Sequence, residues 1–155
     1  MSTRCQIGFY GSKEQAENLK DYDALIYVHH DGYPTSEHGV PARIVPFLKF
    51  FDEKRGLSDT EYAPAWTLHH LIQLTIKDNL DLAEEDASMT KYFGDGRTCT
   101  GFGVSNSIHG DLDFFYKVYP GHLEVCQRDY NAEDAIDKFK TIQIIHLDEP
   151  FVIPE

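Results

Sequence analysis

The chain has 155 residues, the length of one ordinary domain, and its 41% apolar and 13% aromatic content indicates a folded globule. Its formal charge of −12 argues against general binding to nucleic-acid backbones or anionic membranes, because both would repel it. No apolar run reaches the length that crosses a bilayer, and the amino terminus lacks the apolar core of a signal peptide. We therefore expect one soluble, acidic, cytoplasmic domain over residues 1–155.

Two strands open the predicted fold, because segments 4–10 and 22–28 are rich in β-branched and aromatic residues. With the polar link between them, they can form a hairpin with a long loop. Two helices follow, since apolar residues recur at helical spacing from Pro41 to Gly56 and again from Pro64 to Asp78. Pro46 lies deep inside the first helix, so we expect that helix to start late or to kink.

Strand patterns return after residue 97. Segments 98–104, 113–119 and 122–127 alternate, and Pro120-Gly121 between the last two predicts a hairpin turn. A short helix capped by Asn131 then precedes a last strand at 141–147. The order ββααββ(α)β places strands at both ends and helices between them. This order predicts an α+β fold in which a mainly antiparallel sheet packs against two helices.

The cysteines do not form a recognisable metal or redox motif. Cys5, Cys99 and Cys126 are widely spaced and include no Cys-x-x-Cys pair, which argues against a structural zinc site. A reduced thiol inside or beside a strand is a small apolar side chain. We therefore expect three buried thiols and no intramolecular disulfide.

The most concentrated polar cluster follows the second strand, at His29-His30-Asp31-Gly32-Tyr33-Pro34. Asp-Gly and Tyr-Pro are turn-forming pairs, so the chain bends here, and such loops often hold binding and catalytic groups. An imidazole beside Asp31 can act as a general base or as part of a metal site. Alternation along a strand would point His29 and His30 to opposite faces. Alternatively, Asp31 only accepts hydrogen bonds within its own turn, which requires no function.

From this cluster we predict one ligand-binding pocket. Its lining would be Arg4, Asp31, Tyr33 and one of the two neighbouring histidines, His29 or His30, and His38 is a further candidate. The pocket hypothesis requires Arg4 and Asp31 to lie on the same side of the sheet.

A second candidate site lies in the segment His109-Gly110-Asp111-Leu112-Asp113. Two carboxylates and an imidazole are sufficient to begin a metal site, so His109, Asp111 and Asp113 are its possible ligands. The spacing does not match an EF-hand, because the glycine and the terminal glutamate are out of place. A solvated loop is the alternative.

Parts of this pattern resemble a group of small bacterial and phage proteins, most of which have no assigned reaction. Those proteins open with Thr-Arg, run through two strands and carry Asp-Gly-Tyr-Pro before a glycine and a helix. The corresponding residues here are Thr3-Arg4, Asp31-Gly32-Tyr33-Pro34 and Gly39, and the aromatic strand 113–119 resembles one near their carboxyl ends. The resemblance implies common ancestry and a phage or prophage setting, but no reaction. The longer stretch from Tyr33 to Gly39 departs from the pattern.

Two functions fit these observations. The first is a non-enzymatic accessory protein that binds a small ligand or a protein partner through the His-Asp-Gly-Tyr-Pro turn, since no complete catalytic motif is present. The second is a small hydrolase that uses His29 or His30 with Asp31, assisted by a metal held partly by His109 or Asp111. The sequence assigns no cofactor and no oligomeric state. Convergence of these groups on one reacting atom inside a pocket would favour the enzyme.

Overall fold

The computed structural model describes residues 2–78, 101–131 and 138–155. Three helices are present in these ranges: α1 (Lys13–Ala16), α2 (Val40–Lys54) and α3 (Tyr62–Asp78). Six strands of the same ranges form one sheet: β1 (Cys5–Phe9), β2 (Ala24–Val28), β3 (Phe102–Ser105), β4 (Phe114–Tyr119), β5 (His122–Arg128) and β6 (Phe139–His146).

The sheet is mixed but mostly antiparallel, with the spatial order β3-β2-β1-β4-β5-β6. Among the described strands, only β1 and β4 pair in parallel, which is possible because three helices and two strands (α1, β2, α2, α3 and β3) separate them along the chain. The predicted α+β class and antiparallel character are confirmed. The order ββααββ(α)β is wrong, because α1 separates β1 from β2 and four strands, β3 to β6, follow α2 and α3 among the described residues, where three were predicted. The predicted helix after Asn131 falls on residues outside the described ranges.

Helices α2 and α3 cover one face of the sheet, which we call the helix-covered face. In β1 and β2, successive side chains alternate between this face and the opposite one, as expected for strands. Their apolar groups and those of the two helices form the main core, which includes Ile7, Phe9, Ile26, Val28, Ile44, Leu48, Leu71, Tyr116 and Val118.

The start of α2 depends on a glycine and a proline. Gly39 is the extended residue that precedes the helix, and a Cβ there would lie 2.3 Å from the Thr35 carbonyl oxygen. Pro41 occupies the first turn, where a missing N–H has no cost. The helix begins at Val40 and runs through Pro46, so the expected late start is wrong. Burial of the α2 face that carries Ile44 and Leu48 offsets the hydrogen bond lost at Pro46.

Loops and the short helix α1 cover the opposite face, which we call the loop-covered face. Its smaller core contains Tyr10, Leu25, Leu112, Phe115 and Tyr119, with Ala16 contributed by α1. Cys5 and Cys126 are buried free thiols on opposite faces, and Cys99 lies outside the described residues. No helix among the described residues is both long and apolar enough to span a bilayer.

Candidate functional site

Four chain segments meet at one end of the sheet because of the strand pairing. Cys5 at the start of β1 pairs with Val28 at the end of β2 and with Phe114 at the start of β4. Val28 also pairs with Phe102 at the start of β3. The residues just outside these strands, such as Arg4 and His29, therefore lie together although they are far apart in sequence.

Tyr27 is the central residue on the loop-covered side of this region. It lies in β2 between Gln6 of β1 and Gly103 of β3, its cross-strand neighbours. The Tyr27 hydroxyl lies 2.8 Å from Nδ1 of His29. Gly103 has no side chain, and a Cβ placed there would have no atom within 4 Å. The surface of the sheet beside the Tyr27 ring is therefore not covered by a side chain at position 103.

Residues 106–111, the 106–111 loop, fold over this face and are held by a buried glutamine. The Gln6 amide donates to the Ser107 carbonyl at 3.0 Å and accepts from the His109 backbone N–H at 3.0 Å. Gln6 is fully buried, so its amide has no water to replace these bonds. The loop places the His109 ring 4.8 Å from the Tyr27 ring, centroid to centroid.

These residues enclose an open pocket of about 510 Å³. The pocket is a depression that is largely open to solvent. Burial raises the pKa of the Tyr27 phenol, while the nearby Arg4 opposes the shift and Asp111 adds to it. The hydroxyl is therefore protonated at neutral pH and can take part in hydrogen bonds. The lining consists of Tyr27, Gly103, Val104, Ser105, Asn106 and His109.

Arg4 belongs to this end of the sheet, but with a different partner from the predicted one. Its Nη1 lies 2.7 Å from Oδ2 of Asp111, in an ion pair whose two side chains are partly exposed. The Asp31-Gly32 turn is anchored from the helix-covered side: Arg43 of α2 donates to the Asp31 carbonyl and Tyr116 donates to the Gly32 carbonyl. The structure thus groups Arg4 with Asp111 and the 106–111 loop.

The two adjacent histidines lie side by side. Because β2 ends at Val28, the alternation expected of a strand does not extend to them. The His29 and His30 ring centroids are 4.6 Å apart in an edge-to-face arrangement, so the expectation of opposite faces is wrong. Nδ1 of His30 lies 3.0 Å from the Ser2 hydroxyl. Both rings therefore lie at the same end of the sheet, with His29 joined to Tyr27.

Tyr33 and His38, two of the predicted site residues, lie just before α2 and contact residues near the start of that helix. The Tyr33 carbonyl accepts from the Val40 backbone N–H at 3.0 Å, which ties the turn to the helix. His38 is exposed and lies 3.3 Å from the carboxylate of its neighbour Glu37. Neither contact connects these residues to the Tyr27 pocket.

The proposed metal ligands have other partners. Asp111 pairs with Arg4, and Asp113 accepts a hydrogen bond from the Tyr130 hydroxyl at 2.7 Å. The His109 ring packs against Tyr27. Within the described ranges, no three histidine, cysteine, aspartate or glutamate side chains are grouped so that they could hold a metal ion.

The sequence analysis missed three residues that build the pocket: Gln6, Tyr27 and Gly103. A glycine inside a strand pattern indicates either a bulge or a close approach to the backbone, so Gly103 was the available signal. Gln6 and Tyr27 carry no comparable signal, because their roles depend on cross-strand neighbours.

Comparisons of the chain with protein-family models, with curated proteins and with solved structures each found no match. Function is therefore inferred from the geometry and chemistry of the sheet end. The resemblance to small bacterial and phage proteins stays a prediction.

Proposed function

We propose that this protein is a binding protein that takes a small, neutral, planar molecule into the pocket beside Tyr27. The observation that carries the proposal is the pairing of Tyr27 with Gly103, which leaves the sheet surface next to an aromatic ring uncovered. The His109 ring forms a wall of the same space. The ligand-binding function predicted from the sequence is kept, but its site moves from the Asp-Gly-Tyr-Pro turn to the loop-covered face.

The pocket chemistry favours a planar ligand with hydrogen-bonding groups. Tyr27 and His109 offer ring surfaces, and ring stacking contributes about 0.5–1.5 kcal/mol beyond the area buried. Ser105, Asn106 and the Tyr27 hydroxyl offer donors and acceptors that would orient the ligand.

The charges beside the pocket favour a neutral ligand. Arg4 and Asp111 form a direct ion pair and so largely cancel each other. A charged ligand would therefore gain little attraction from them. An anionic ligand would in addition be opposed by the net charge of −12.

The hydrolase alternative would require a carboxylate that holds one of the two histidines as a base. A carboxylate that activates a histidine base usually accepts a hydrogen bond from one ring nitrogen of that base, which fixes its tautomer. Here Nδ1 of His29 contacts the Tyr27 hydroxyl and Nδ1 of His30 contacts the Ser2 hydroxyl. These contacts join both imidazoles to hydroxyl groups at the end of the sheet.

Filling the pocket tests the proposal. Gly103→Val places a branched side chain where a Cβ meets nothing within 4 Å, and valine suits a strand. We expect the melting temperature to stay the same or rise, while ligands bind at least tenfold more weakly, about 1.4 kcal/mol. The measurement is a ligand-observed NMR screen of neutral heteroaromatic fragments, followed by titration of the fragments that bind.

A pair of histidine variants supplies the control. His109→Ala removes one wall and should weaken the same fragments by about tenfold, the upper end of a stacking contribution. His146→Ala changes an exposed histidine on β6, at the far edge of the sheet, and should leave their affinity unchanged. Fragments that bind Gly103→Val as tightly as the parent protein, or a screen in which none binds, would contradict the proposal.

A further inference from the structure

Two histidines lie opposite each other on β5 and β6, the strands farthest in the sheet from the Tyr27 pocket. His122 of β5 pairs directly with His146 of β6. The adjacent pair, Gly121 and Leu147, is joined by a backbone hydrogen bond from the Leu147 N–H to the Gly121 carbonyl at 2.9 Å. His122 and His146 are therefore a non-hydrogen-bonded pair, the kind whose side chains approach most closely. Their ring centroids are 4.9 Å apart.

The His122 ring is held in a tautomer that metal-binding histidines use. Its Nδ1 lies 2.9 Å from the Pro120 carbonyl oxygen, which can only accept, so Nδ1 donates and carries the proton. In the neutral ring the lone pair is then on Nε2. A metal-binding histidine commonly donates its other ring N–H to a backbone carbonyl in this way, which fixes the tautomer and the direction of the ring. Stacking on the Tyr119 ring, with 5.0 Å between centroids, supports the same orientation.

The separation of the two rings fits a shared metal ion. With a nitrogen-to-metal distance of about 2.0–2.1 Å, the centroid of an imidazole lies about 3.2 Å from the ion that it binds. Two such imidazoles at an angle of about 90–110° have centroids about 4.5–5.2 Å apart. The observed 4.9 Å lies inside that range. His146 is exposed, so its ring can rotate toward an ion and water can reach the same ion.

We propose that His122 and His146 together bind a divalent transition-metal ion such as Zn²⁺. Imidazole suits zinc, copper and nickel, whereas calcium and magnesium prefer oxygen ligands. The net charge of −12 attracts cations to the protein. Among the described residues, no third histidine, cysteine, aspartate or glutamate completes a group of ligands, so water takes the remaining positions. A site with open positions can accept a further ligand on the ion, unlike a closed structural zinc site.

Isothermal titration of the whole chain with Zn²⁺ tests the proposal at about pH 7.5, where an ordinary imidazole is neutral. We expect one zinc ion per chain at the tightest site. His122→Gln and His146→Gln should each weaken zinc binding at least about a hundredfold, since loss of an outer-shell partner alone costs about 10–100-fold. His38→Gln is the matched control, because His38 is another exposed histidine and lies beside the Glu37 carboxylate. It should bind zinc like the parent protein.

NMR of the imidazole nitrogens in the parent protein identifies the ligands without relying on any variant. Zinc should shift the Nε2 signals of His122 and His146, while Nδ1 of His122 stays protonated because it donates to Pro120. A parent protein that binds no zinc, zinc binding that survives either glutamine substitution, or shifts centred on other histidines would each overturn the proposal.

Discussion

The two faces of the sheet bury different kinds of side chain. Beneath α2 and α3 the strands contribute apolar groups such as Ile7 and Val28. Beneath the loops the protein buries Lys117 and Gln6 as well. The backbone N–H groups in the middle of a helix are already used within the helix. The helix carbonyls keep a second lone pair, which side chains of the helices themselves use: the Thr67 hydroxyl donates to the Ala63 carbonyl. Loops and helix ends offer carbonyls that have no partner within a helix.

The polar side chains that the strands bury use loop and helix-end carbonyls on both faces. Lys117 donates to the carbonyl of Ala16, the last residue of α1, and Gln6 donates to the carbonyl of Ser107 in a loop. Tyr116 has a hydroxyl on the helix-covered face, and it too reaches a loop carbonyl, that of Gly32. The candidate pocket lies on the loop-covered face, where loop and helix-end carbonyls accept from buried polar side chains.

Removing the buried Lys117 should have the largest effect on stability of the variants that test this contrast. Nζ of Lys117 lies 3.5 Å from Oε2 of Glu124, and the two side chains are only 10% and 13% exposed. Lys117→Met would leave the Glu124 carboxylate buried with two hydroxyl partners, Tyr119 and Thr141, and no cation. We expect the free energy of unfolding, measured by urea titration, to fall by about 3–5 kcal/mol.

Two further variants separate charge from packing. Lys117→Met combined with Glu124→Leu should recover most of the loss, because replacing both members of a buried ion pair with apolar groups is often neutral. Lys54→Met alters an exposed lysine at the end of α2 and should change stability by less than about 0.5 kcal/mol. A cost below 1 kcal/mol for Lys117→Met would show that the pair is not needed on this face.

Alkaline pH should destabilise the protein through its buried thiols. Burial raises the pKa of Cys126 to about 12, with the Glu124 carboxylate adding to the shift. Because the folded value exceeds the unfolded value near 9, the stabilisation is complete below pH 9 and is lost as the pH rises toward 12. Each such thiol lowers the free energy of unfolding by about 1.4 kcal/mol per pH unit in that window. Burial also raises the pKa of Cys5.

The measurement is urea unfolding at pH 8, 9 and 10; because tyrosines with an ordinary pKa near 10 also titrate in the unfolded chain at the upper end of this range, the Cys126 contribution is read from a variant. Cys126→Ala removes one thiol and should flatten the fall in stability between pH 9 and 10, whatever its effect at pH 8. An unchanged slope in this variant would mean that the Cys126 thiol ionises as readily in the folded protein as in the unfolded chain.

The parts of the fold that could be predicted from the sequence depend on local signals. Alternation on both sides of Pro120-Gly121 predicts the β4–β5 hairpin, and Gly121 has the positive φ of 79° that such a turn uses. The missed helix α1 also has a local signal: Ser12 caps it by accepting from the Gln15 N–H, the spacing of a capping box.

The candidate site could not be predicted, because its contacts are long-range. Arg4 and Asp111 meet only because β1 and β4 pair in parallel, and no short-range pattern indicates that pairing. The turn at His30-Asp31 is visible in the sequence, but the direction in which it presents its side chains depends on Arg43 and Tyr116. Turn residues therefore indicated where the chain bends and not which face holds the pocket.

Substitution of Asp31 has the smallest expected effect, and it separates the role of the turn from the role of the pocket. Its φ of 57° lies in the left-handed region, which asparagine and aspartate tolerate better than other non-glycine residues. Asp31→Asn keeps this conformation and the carbonyl that Arg43 binds, so stability should fall by no more than about 1 kcal/mol. Asp31→Val has a branched side chain in the same conformation and should lose about 1–2 kcal/mol.

Fragment affinity at the Tyr27 pocket should be unchanged in Asp31→Asn, because the Asp31-Gly32 turn is held from the helix-covered side and the pocket lies on the other. Thermal melting and the NMR titration described for Gly103→Val measure the two properties on the same sample. Weaker fragment binding in Asp31→Asn at an unchanged melting temperature would return the binding site to the turn, where the carboxylate would then contact the ligand. Unchanged binding with a small loss of stability would assign Asp31 to the architecture of the turn, whose conformation few other side chains can adopt.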